Sequence, residues 1–289
     1  MRILITGAGG LLGGRLSVLL GADHETTALV RTQPAPPGLA IVAADLVDDP
    51  SVRRILESVR PDAVIHCAAL ADVEVCERNP ARARRENEVA TGTLAAACAD
   101  LGTRLIAIST DLVFRGDQAW STEESAVDPI MEYGRSKRRS EIAALAGSPH
   151  STILRVALIC GQGYGPRLSA SESIAARLQR GETVTLFEDE WRTPIDADSV
   201  AQAIAALLLR PRADGVFHLG GSERMTRVEL GERVASTLGL DPRLIRRSLG
   251  IFHPGAPRPR DVSLDISRAR EELGWTPRSI EAAVKEGRR

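Results

Sequence analysis

Hydrophobic and polar positions follow two alternating patterns through the first two thirds of the chain. Short runs of apolar and β-branched residues predict strands, and the segments between them place apolar residues at helical spacing. The predicted strands are residues 2–6, 26–30, 40–45, 63–68, 104–110 and 152–157, and the predicted helices include 11–21, 49–60, 79–102 and the segment around 133–137. Apolar strands separated by helices form parallel sheets covered on both faces, so the pattern predicts an α/β fold with a doubly wound parallel sheet.

The pattern loosens after about residue 160. The sequence GQGYGPR at 161–167 predicts a glycine-rich loop. Further helices are predicted at 171–181, 196–210, 225–240, 265–275 and 279–286, and further strands at 184–187 and 216–221. We expect residues 1–160 to form the main α/β domain, to which residues 195–221 return, and residues 161–194 and 222–289 to form a smaller C-terminal lobe.

Charge balance and apolar stretches narrow the class of function. The 289-residue chain has 37 basic and 38 acidic residues, which leaves no electrostatic footprint for nucleic acid or an anionic membrane. Its apolar runs are too short for a membrane span, and the N-terminal run is broken by glycine too early for a secretory signal. The four cysteines lack zinc spacing, so we expect reduced thiols, no metal site and a soluble, cytoplasmic protein.

A glycine-rich turn follows the first predicted strand. The sequence TGAGGLLGG has glycines at 7, 10 and 13 and leads directly into the first predicted helix. Glycine lets the backbone approach a diphosphate, and a helix N-terminus offers amide donors and a partial positive charge. The spacing differs by one residue from G-x-G-x-x-G, but its place in a βαβ unit predicts a Rossmann dinucleotide site.

The end of the second predicted strand bears on which dinucleotide binds. NAD-selective sites usually place an acidic residue there, which bonds the ribose hydroxyls. Here stand Arg31 and Thr32, and a guanidinium can pair with a 2′-phosphate, so NADP(H) is favoured over NAD(H). An ordinary exposed arginine is the alternative. Asp45, after the third strand, can touch the adenine edge or cap the turn that follows it.

The sequence MEYGRSK places Tyr133, one of two tyrosines in the chain, four residues before Lys137. On a helix the two side chains share a face. A neighbouring ammonium favours phenolate and lowers a tyrosine pKa, which suits a general acid/base near neutral pH. By itself, the spacing also fits a solvated pair on a charged helix face.

Taken in order, TGAGGLLG, ISTDLVF and EYGRSK resemble the extended short-chain dehydrogenase/reductase superfamily. The segments RPDAVIHCAALADVEVCERNP, RRENEVATGTLAAAC, STDLVFRG and APRPRDVSLDISRAREELGW resemble, more narrowly, the dTDP-4-dehydrorhamnose reductase family. That family also includes a non-catalytic relative, the regulatory beta subunit of methionine adenosyltransferase. The resemblance covers essentially the whole chain.

The resemblance implies an NAD(P)-dependent oxidoreductase in which Tyr133 donates a proton to a substrate carbonyl as hydride arrives from the nicotinamide. Lys137 would hold the nicotinamide ribose and lower the tyrosine pKa, and Thr110 would hydrogen-bond the carbonyl, with Ser109 as an alternative. The implied cofactor-binding residues are Gly7, Gly10, Leu11, Leu12, Gly13, Arg31, Asp45, Leu46, Ala68, Ala69, Tyr133 and Lys137.

Further residues follow from the same resemblance. Asn87 would stabilise the helix or a structural water near the site. In the C-terminal lobe, expected to bind substrate, Arg192 and either Arg258 or Arg260 would grip a nucleotide diphosphate, for which bidentate arginine is well suited. Burial of the alanines, helix capping by the asparagine and solvated loop arginines are the alternatives.

Two departures from related patterns narrow the chemistry. Sugar-nucleotide dehydratases carry an Asp-Glu pair after the catalytic threonine, whereas this chain has Asp111 and Leu112, and leucine cannot move a proton. Dehydration is therefore not expected. Leu112 and His66 stand where the reductases commonly have tyrosine and asparagine, which leaves the substrate open; His66 fits the end of a buried strand.

Three functions remain open at this point. The first is an NADPH-dependent reductase of a nucleotide-activated 4-keto-6-deoxy sugar, which the Thr110, Tyr133, Lys137 set and Arg31 favour. The second is an NADP-binding regulatory subunit without turnover, and the third is a sugar-nucleotide epimerase that keeps NAD bound. In each case the ligand is a small molecule, and a homodimer is possible.

Overall fold

The structure, a computed structural model, describes residues 1–148, 150–211 and 213–286, and of Phe252 only the backbone. Its strands are β1 (Arg2–Thr6), β2 (Glu25–Val30), β3 (Ala40–Ala43), β4 (Ala63–His66), β5 (Arg104–Thr110), β6 (Thr152–Val156), β7 (Ile159–Cys160), β8 (Val184–Phe187), β9 (Trp191–Arg192), β10 (Ile195–Asp196), β11 (Gly215–Leu219), β12 (Met225–Thr226) and β13 (Ile245–Ser248).

Helices connect these strands. They are α1 (Leu11–Leu20), α2 (Asp49–Val59), α3 (Val73–Arg78), α4 (Pro80–Ala83), α5 (Ala90–Asp100), α6 (Glu132–Gly147), α7 (Ala170–Gln179), α8 (Ala197–Leu208), α9 (Arg227–Leu238), α10 (Ser267–Leu273) and α11 (Ile280–Glu286). Short 3₁₀ turns lie at Asp111–Val113, Pro242–Leu244 and Gly250–Phe252, and a π-helical turn lies at Arg84–Val89.

Seven parallel strands form the central sheet in the order β3, β2, β1, β4, β5, β6, β11. The strand order reverses between β1 and β4, and the loops after these two strands meet at that point. In open α/β sheets, ligands bind in the crevice outside the carboxyl ends of the strands at such a reversal. The predicted doubly wound fold is confirmed.

Helices cover both faces of the sheet because the strands are buried on both sides. Helices α1 and α8 pack together on one face, and α2, α5 and α6 pack on the other. Two buried apolar clusters, one for each face, contain Ile5 and Leu154 on the first and Leu4 and Leu105 on the second. This alternation is the pattern expected of a buried parallel strand.

A third apolar cluster lies beyond the central sheet and joins α7, α9, α11 and β8. Three small strand pairs accompany it: β8 with β13, β9 with β12, and β7 with β10. Thr226 caps α9 by accepting the amide of Glu229, whose carboxylate accepts the Thr226 amide in return, so the sequence signal at 225–240 marked a true helix start.

Strand β11 lies in the central sheet beside β6, although it follows the segment that forms much of the third cluster. The division into two domains stays a prediction, and its residues 149, 212 and 287–289 lie outside the described residues. Within the described ranges, no helix combines the length and apolar composition needed to cross a bilayer.

The helix predicted at 79–102 differs in detail from the observed one. It begins as α4, widens into the π-helical turn Arg84–Val89 and continues as α5. The sequence pattern could not show this turn, because a π turn changes the hydrogen-bond spacing over only a few residues.

Candidate active site

The glycine turn after β1 has the geometry that a phosphate-binding loop needs. Gly7 adopts a φ of +67°, and its carbonyl accepts the Gly10 amide at 2.9 Å. A Cβ on Gly13 would lie 2.4 Å from the Gly7 carbonyl oxygen, so only glycine allows α1 to start so close to the turn. No side chain caps α1, which leaves its first amides available for an anion.

The loop at 161–167 packs against this turn. The Tyr164 amide donates to the Leu11 carbonyl at 3.1 Å. A Cβ on Gly14 would lie 2.2 Å from the Tyr164 ring, and one on Gly165 would lie 2.9 Å from the Gly9 carbonyl oxygen. Composition predicted a loop here but not its contact with the phosphate-binding turn, because the two segments are about 150 residues apart in the chain.

A cavity of about 780 Å³ runs from this turn past the end of β5 to the C-terminal segments. It brings together most of the residues predicted from sequence. Those that line it are Gly7, Gly10, Leu11, Leu12, Gly13, Ala69, Thr110, Tyr133, Lys137, Arg192 and Arg258.

A smaller cavity of about 270 Å³ adjoins the same turn at the ends of β2 and β3. Arg31, Asp45, Leu46 and Ala68 line it, and Ala69 lines both cavities. The cavities together thus contain every predicted cofactor residue. Asp45 accepts the Val47 amide at 3.3 Å and pairs with Arg85 at 3.2 Å, so both sequence interpretations of Asp45 remain compatible with its position.

Thr110 and Ser109 end β5 but have different partners. Thr110 donates to the Asp111 carboxylate at 2.9 Å and accepts the Leu112 amide at 3.2 Å. Ser109 donates to Glu141 at 2.6 Å, in a buried cluster where Arg155 also pairs with Glu141. Both hydroxyls donate to carboxylates and both residues line the larger cavity, so Thr110 and Ser109 remain alternatives for contact with a substrate.

Tyr133 lies in the first turn of α6, in the larger cavity. Burial, and secondarily the Asp111 carboxylate, raises the pKa of Tyr133 above its ordinary value. The net shift is opposite to the lowering predicted from Lys137, because desolvation of the phenolate outweighs the lowering by the Arg167 guanidinium and by the hydrogen bond with Thr110. The phenol is protonated at neutral pH, which is the form that can give a proton to a carbonyl.

Lys137 is one turn further along α6 and is only 3% exposed. Burial lowers its pKa to about 8, and the Glu141 carboxylate acts in the opposite direction. It is also one of only two lysines in the sequence. Lys137 is therefore a buried ammonium whose pKa lies close to neutral pH.

Asp111 is a functional candidate that entered the sequence analysis only through the comparison with the dehydratases. It is 3% exposed, lines the larger cavity, and its Oδ2 has no hydrogen-bond partner among the described residues. Burial raises its pKa, although the Arg192 guanidinium acts in the opposite direction. Buried polar atoms without partners are rare, so this oxygen is suited to form a hydrogen bond with a bound substrate.

Asn87 lies in the π-helical turn and connects two segments of the site. Its Oδ1 accepts the Leu70 amide at 2.7 Å, and its Nδ2 donates to Ser136 at 2.8 Å and to the Leu70 carbonyl at 3.2 Å. Ser136 belongs to α6, between Tyr133 and Lys137. The asparagine thus fixes the helix that carries both side chains, as the resemblance implied.

His66 ends β4 and lies outside both cavities. Its Nδ1 lies 2.7 Å from the Thr6 hydroxyl and its Nε2 lies 2.9 Å from the Thr91 hydroxyl. Burial, followed by the charge of Lys137, lowers its pKa to about 3. A neutral histidine with both nitrogens bonded supports the interpretation of a buried strand end.

The predicted substrate arginines lie in the larger cavity and share one carboxylate. Arg192 donates to the Pro259 carbonyl at 3.3 Å and lies 3.7 Å from Glu190, and Arg258 donates to Glu190 at 3.1 Å. Arg260 is exposed and does not line the cavity, so the structure favours Arg258 over Arg260 as the second candidate for binding the diphosphate.

Arg227 is a cation that sequence reasoning missed. It is the first residue of α9, lines the larger cavity, and its guanidinium has no hydrogen bond or ion pair within the described ranges. Burial and then Arg192 lower its pKa. Three guanidiniums near one carboxylate leave an excess of positive charge, which suits a diphosphate. Nothing in the local sequence could have indicated Arg227, because β9, α9 and residue 258 meet only in the fold.

Cys67 lines both cavities, and burial raises its pKa to about 12, so it is present there as a thiol. All four cysteines are free thiols. In the part of the chain that the structure describes, no group of histidine, cysteine or acidic side chains could hold a metal ion.

Comparison with known proteins identifies the family. The family described as RmlD substrate binding domain matches residues 1–287. A probable low-salt glycan biosynthesis reductase from Haloferax volcanii is 34% identical over 97% of this chain and 95% of its own length. A dTDP-4-keto-6-deoxy-D-glucose reductase from Streptomyces niveus is 34% identical over 96% of this chain and 92% of its own. The mouse methionine adenosyltransferase 2 subunit beta is 30% identical over 99% of this chain and 86% of its own length.

Solved structures agree with this grouping. The crystal structure of a hypothetical dTDP-4-dehydrorhamnose reductase from Sulfolobus tokodaii has a TM-score of 0.85 and 34% identity, covering 95% of this chain and 96% of that one. The NADP complex of a dTDP-4-dehydrorhamnose reductase from Bacillus anthracis has the same fold, with a TM-score of 0.85. Its sequence is 22% identical, and the match covers 99% of this chain and 97% of that one.

These matches span the whole length over which the glycine turn, Thr110, Tyr133, Lys137 and the arginines are distributed. The expected enzyme class, an NAD(P)-dependent oxidoreductase of the extended short-chain dehydrogenase/reductase type, is thereby confirmed. The chain belongs to the RmlD substrate-binding-domain family, which is the dTDP-4-dehydrorhamnose reductase family.

Proposed function

We propose that the protein is an NADPH-dependent reductase of a nucleotide-activated 4-keto-6-deoxy sugar. The observation that carries the proposal is the larger cavity, in which the glycine turn, Tyr133 and the arginine group around Glu190 face one space. A nucleotide sugar needs a cation site for its diphosphate and a proton donor at its ketone, and this cavity offers both. Two relatives at 34% identity bear reductase names.

The residues present fit a dinucleotide. The uncapped start of α1 and the close turn at Gly7 and Gly13 suit its diphosphate, and the smaller cavity suits its adenosine end. NADPH would supply the hydride. Arg31 at the edge of the smaller cavity supports a preference for NADP(H), because a guanidinium can pair with a 2′-phosphate.

The protein side chains would handle the proton and the orientation of the ketone. Tyr133, protonated in its buried setting, donates its proton to the carbonyl oxygen as the carbonyl carbon becomes a secondary alcohol. Thr110 hydrogen-bonds the same oxygen, and Lys137 holds the nicotinamide ribose and stabilises the phenolate left after transfer. Arg192, Arg258 and Arg227 hold the diphosphate of the substrate.

The assay is NADPH oxidation, followed by absorbance, with dTDP-4-keto-6-deoxy-glucose made in situ by its dehydratase, run with and without the epimerase that inverts the configuration of this sugar. Tyr133→Phe removes only the phenolic proton, so turnover falls by about 10²- to 10⁴-fold, the usual contribution of a general acid. Tyr164→Phe is the matched control, because Tyr164 lines the same cavity and its change leaves turnover within about threefold.

Equal activity of Tyr133→Phe and wild type would overturn the role given to Tyr133. NADH run beside NADPH tests the cofactor preference in the same assay. Failure of wild type to oxidise NADPH with this sugar would reject the proposed substrate class.

A second candidate is favoured by one finding, the match to methionine adenosyltransferase 2 subunit beta over nearly the whole chain. In that case the same cavities bind NADP without turnover and the protein acts on a partner. NADPH binding without oxidation, together with recovery of a methionine adenosyltransferase from host lysate, would support it. An epimerase instead predicts purified protein that carries stoichiometric NAD.

A further inference from the structure

Three charged side chains meet at the edge of the smaller cavity. Glu86 lies between two guanidiniums, with its Oε1 2.8 Å from Arg82 Nε and its Oε2 3.4 Å from Arg31 Nη2. All three line the cavity. The Glu86 side chain is 15% exposed, whereas those of Arg31 and Arg82 are about half exposed at 49% and 46%. A mostly buried carboxylate therefore orients two accessible cations.

The three residues come from separate elements. Arg31 follows β2, Arg82 lies in α4, and Glu86 lies in the π-helical turn one turn after Arg82. Arg84 and Glu88 have the same i,i+4 spacing and also pair, at 3.3 Å, but neither lines the larger or the smaller cavity. The helix thus carries one pair directed at the cavity and one directed elsewhere.

The two adenosine dinucleotides make opposite demands on this group. A 2′-phosphate pairs well with two guanidiniums but is repelled by a carboxylate and must replace it as their partner. A free ribose 2′-hydroxyl gains nothing comparable from arginine but can donate a hydrogen bond to the carboxylate. Within this group, Glu86 and the 2′-phosphate compete for the same two cations.

We propose that Glu86 is a specificity-determining residue that competes with the 2′-phosphate for Arg31 and Arg82, and that Arg82 is a second phosphate ligand. The carboxylate lets the site accept NADH, and the two arginines let it accept NADPH. The preference for NADPH over NADH is therefore weaker than the two arginines alone would give. This inference rests on the dinucleotide site of the proposed function, but not on the carbonyl substrate.

Binding measurements on the full chain test the proposal. Dissociation constants for NADPH, NADH and 2′,5′-ADP are measured by calorimetry for wild type, Glu86→Gln, Arg82→Gln and Arg84→Gln. Glu86→Gln tightens NADPH and 2′,5′-ADP and weakens NADH, shifting the ratio of the NADPH and NADH affinities about tenfold or more, because the charge-assisted hydrogen bonds of the carboxylate are lost.

Arg82→Gln weakens NADPH and 2′,5′-ADP by about tenfold and leaves NADH unchanged. Arg84→Gln, the matched control on the same helix, leaves all three ligands unchanged. Thermal unfolding of each variant shows that it is folded.

Three results would overturn the proposal. They are an equal change for NADPH and NADH in Glu86→Gln, an unchanged NADPH affinity in Arg82→Gln, and the absence of dinucleotide binding in wild type. Loss of carbonyl reduction with normal 2′,5′-ADP binding would instead count against the proposed reductase alone, because 2′,5′-ADP carries no nicotinamide and needs no substrate.

Discussion

Lys137 stands out at the scale of single residues because it is one of two lysines among the 37 basic residues of a chain that otherwise uses arginine. A guanidinium stays charged in any protein environment and binds in a planar fork, whereas an ammonium is a compact charge whose pKa can move. The pKa of Lys137, lowered to about 8 by burial, uses that property. Lysine is therefore the basic residue whose charge can be tuned by burial at this position.

The burial of Lys137 has a stability cost that depends on pH. Its ammonium has a lower pKa in the folded protein than the 10.5 of a free lysine, so the fold disfavours the charged form. The cost is fully present below about pH 8 and disappears as the pH rises toward 10.5. Lys137→Met should therefore stabilise the protein by up to about 3 kcal/mol at pH 7, and by much less at pH 10.

Urea unfolding at the two pH values measures this difference. Lys285→Met is the control, because Lys285 is exposed and its loss changes the free energy of unfolding by less than about 0.5 kcal/mol at either pH. A Lys137→Met variant that is less stable than wild type at pH 7 would show that packing around the ammonium, and not its desolvation, dominates.

The contact between α1 and the loop at 161–167 is the main long-range feature at the scale of elements. Glycine in a helix normally weakens it, yet α1 contains Gly13 and Gly14 in its first turns. Gly13 lies against the Gly7 carbonyl, and Gly14 lies under the Tyr164 ring. Both glycines are explained by close approach to other parts of the site.

Gly14→Ala should destabilise the protein by about 1–3 kcal/mol and weaken NADPH binding, because the new Cβ meets the Tyr164 ring at 2.2 Å. Gly92→Ala in α5 is the matched control: its Cβ would make only an ordinary 3.7 Å contact with Ala143, so we expect a gain of about 0.5–1 kcal/mol. Thermal unfolding and NADPH titration measure both effects.

A double variant tests whether the contact with the Tyr164 ring causes the loss of stability in Gly14→Ala. If the clash explains the loss, Gly14→Ala combined with Tyr164→Ala should be less destabilised than the sum of the two single changes. Additive losses would place the effect of Gly14 elsewhere.

The sequence predicted elements well where local pattern decides them. Strands such as β1 and β5 and the turn at Gly7 follow from apolar runs and glycine spacing, which are properties of a few neighbouring residues. The packing of Tyr164 on Gly14, the sharing of Glu190 and the position of Arg227 involve segments far apart in the chain. The raised pKa of Tyr133 was missed for a related reason: the neighbouring Lys137 predicted a lowered pKa, whereas the desolvation of the phenol depends on segments that meet only in the fold.

Two neutral histidines join distant segments at the scale of the whole molecule. His66 connects β1 to α5 through Thr6 and Thr91. His218 in β11 lies 3.1 Å from the Ser121 carbonyl and 3.2 Å from the Asp265 carbonyl, and burial lowers its pKa to about 4. Both rings stay neutral in the folded protein at a pH where an unfolded chain would bind protons.

The fold should therefore lose stability as the pH falls below about 6.5, the ordinary histidine value. With a folded pKa of about 3, His66 alone removes about 2 kcal/mol between pH 7 and pH 5. His66→Asn removes the titrating group. The decrease in the free energy of unfolding between pH 7 and pH 5 should therefore be about 2 kcal/mol smaller in this variant than in wild type. His150→Asn, at a side chain that is 92% exposed, should leave the drop unchanged. An identical drop in His66→Asn and wild type would assign the acid sensitivity to other groups.

The π-helical turn at Arg84–Val89 restricts how this protein can change in length during evolution. It positions Glu86 at the adenosine end of the site and Asn87 against the helix that carries Tyr133 and Lys137. Removing one residue would restore α-helical spacing and rotate the preceding turn by about 100° relative to α5, so the two side chains could not both keep their places. Insertions and deletions can accumulate in exposed loops, whereas the 84–89 segment can change only by substitution at constant length.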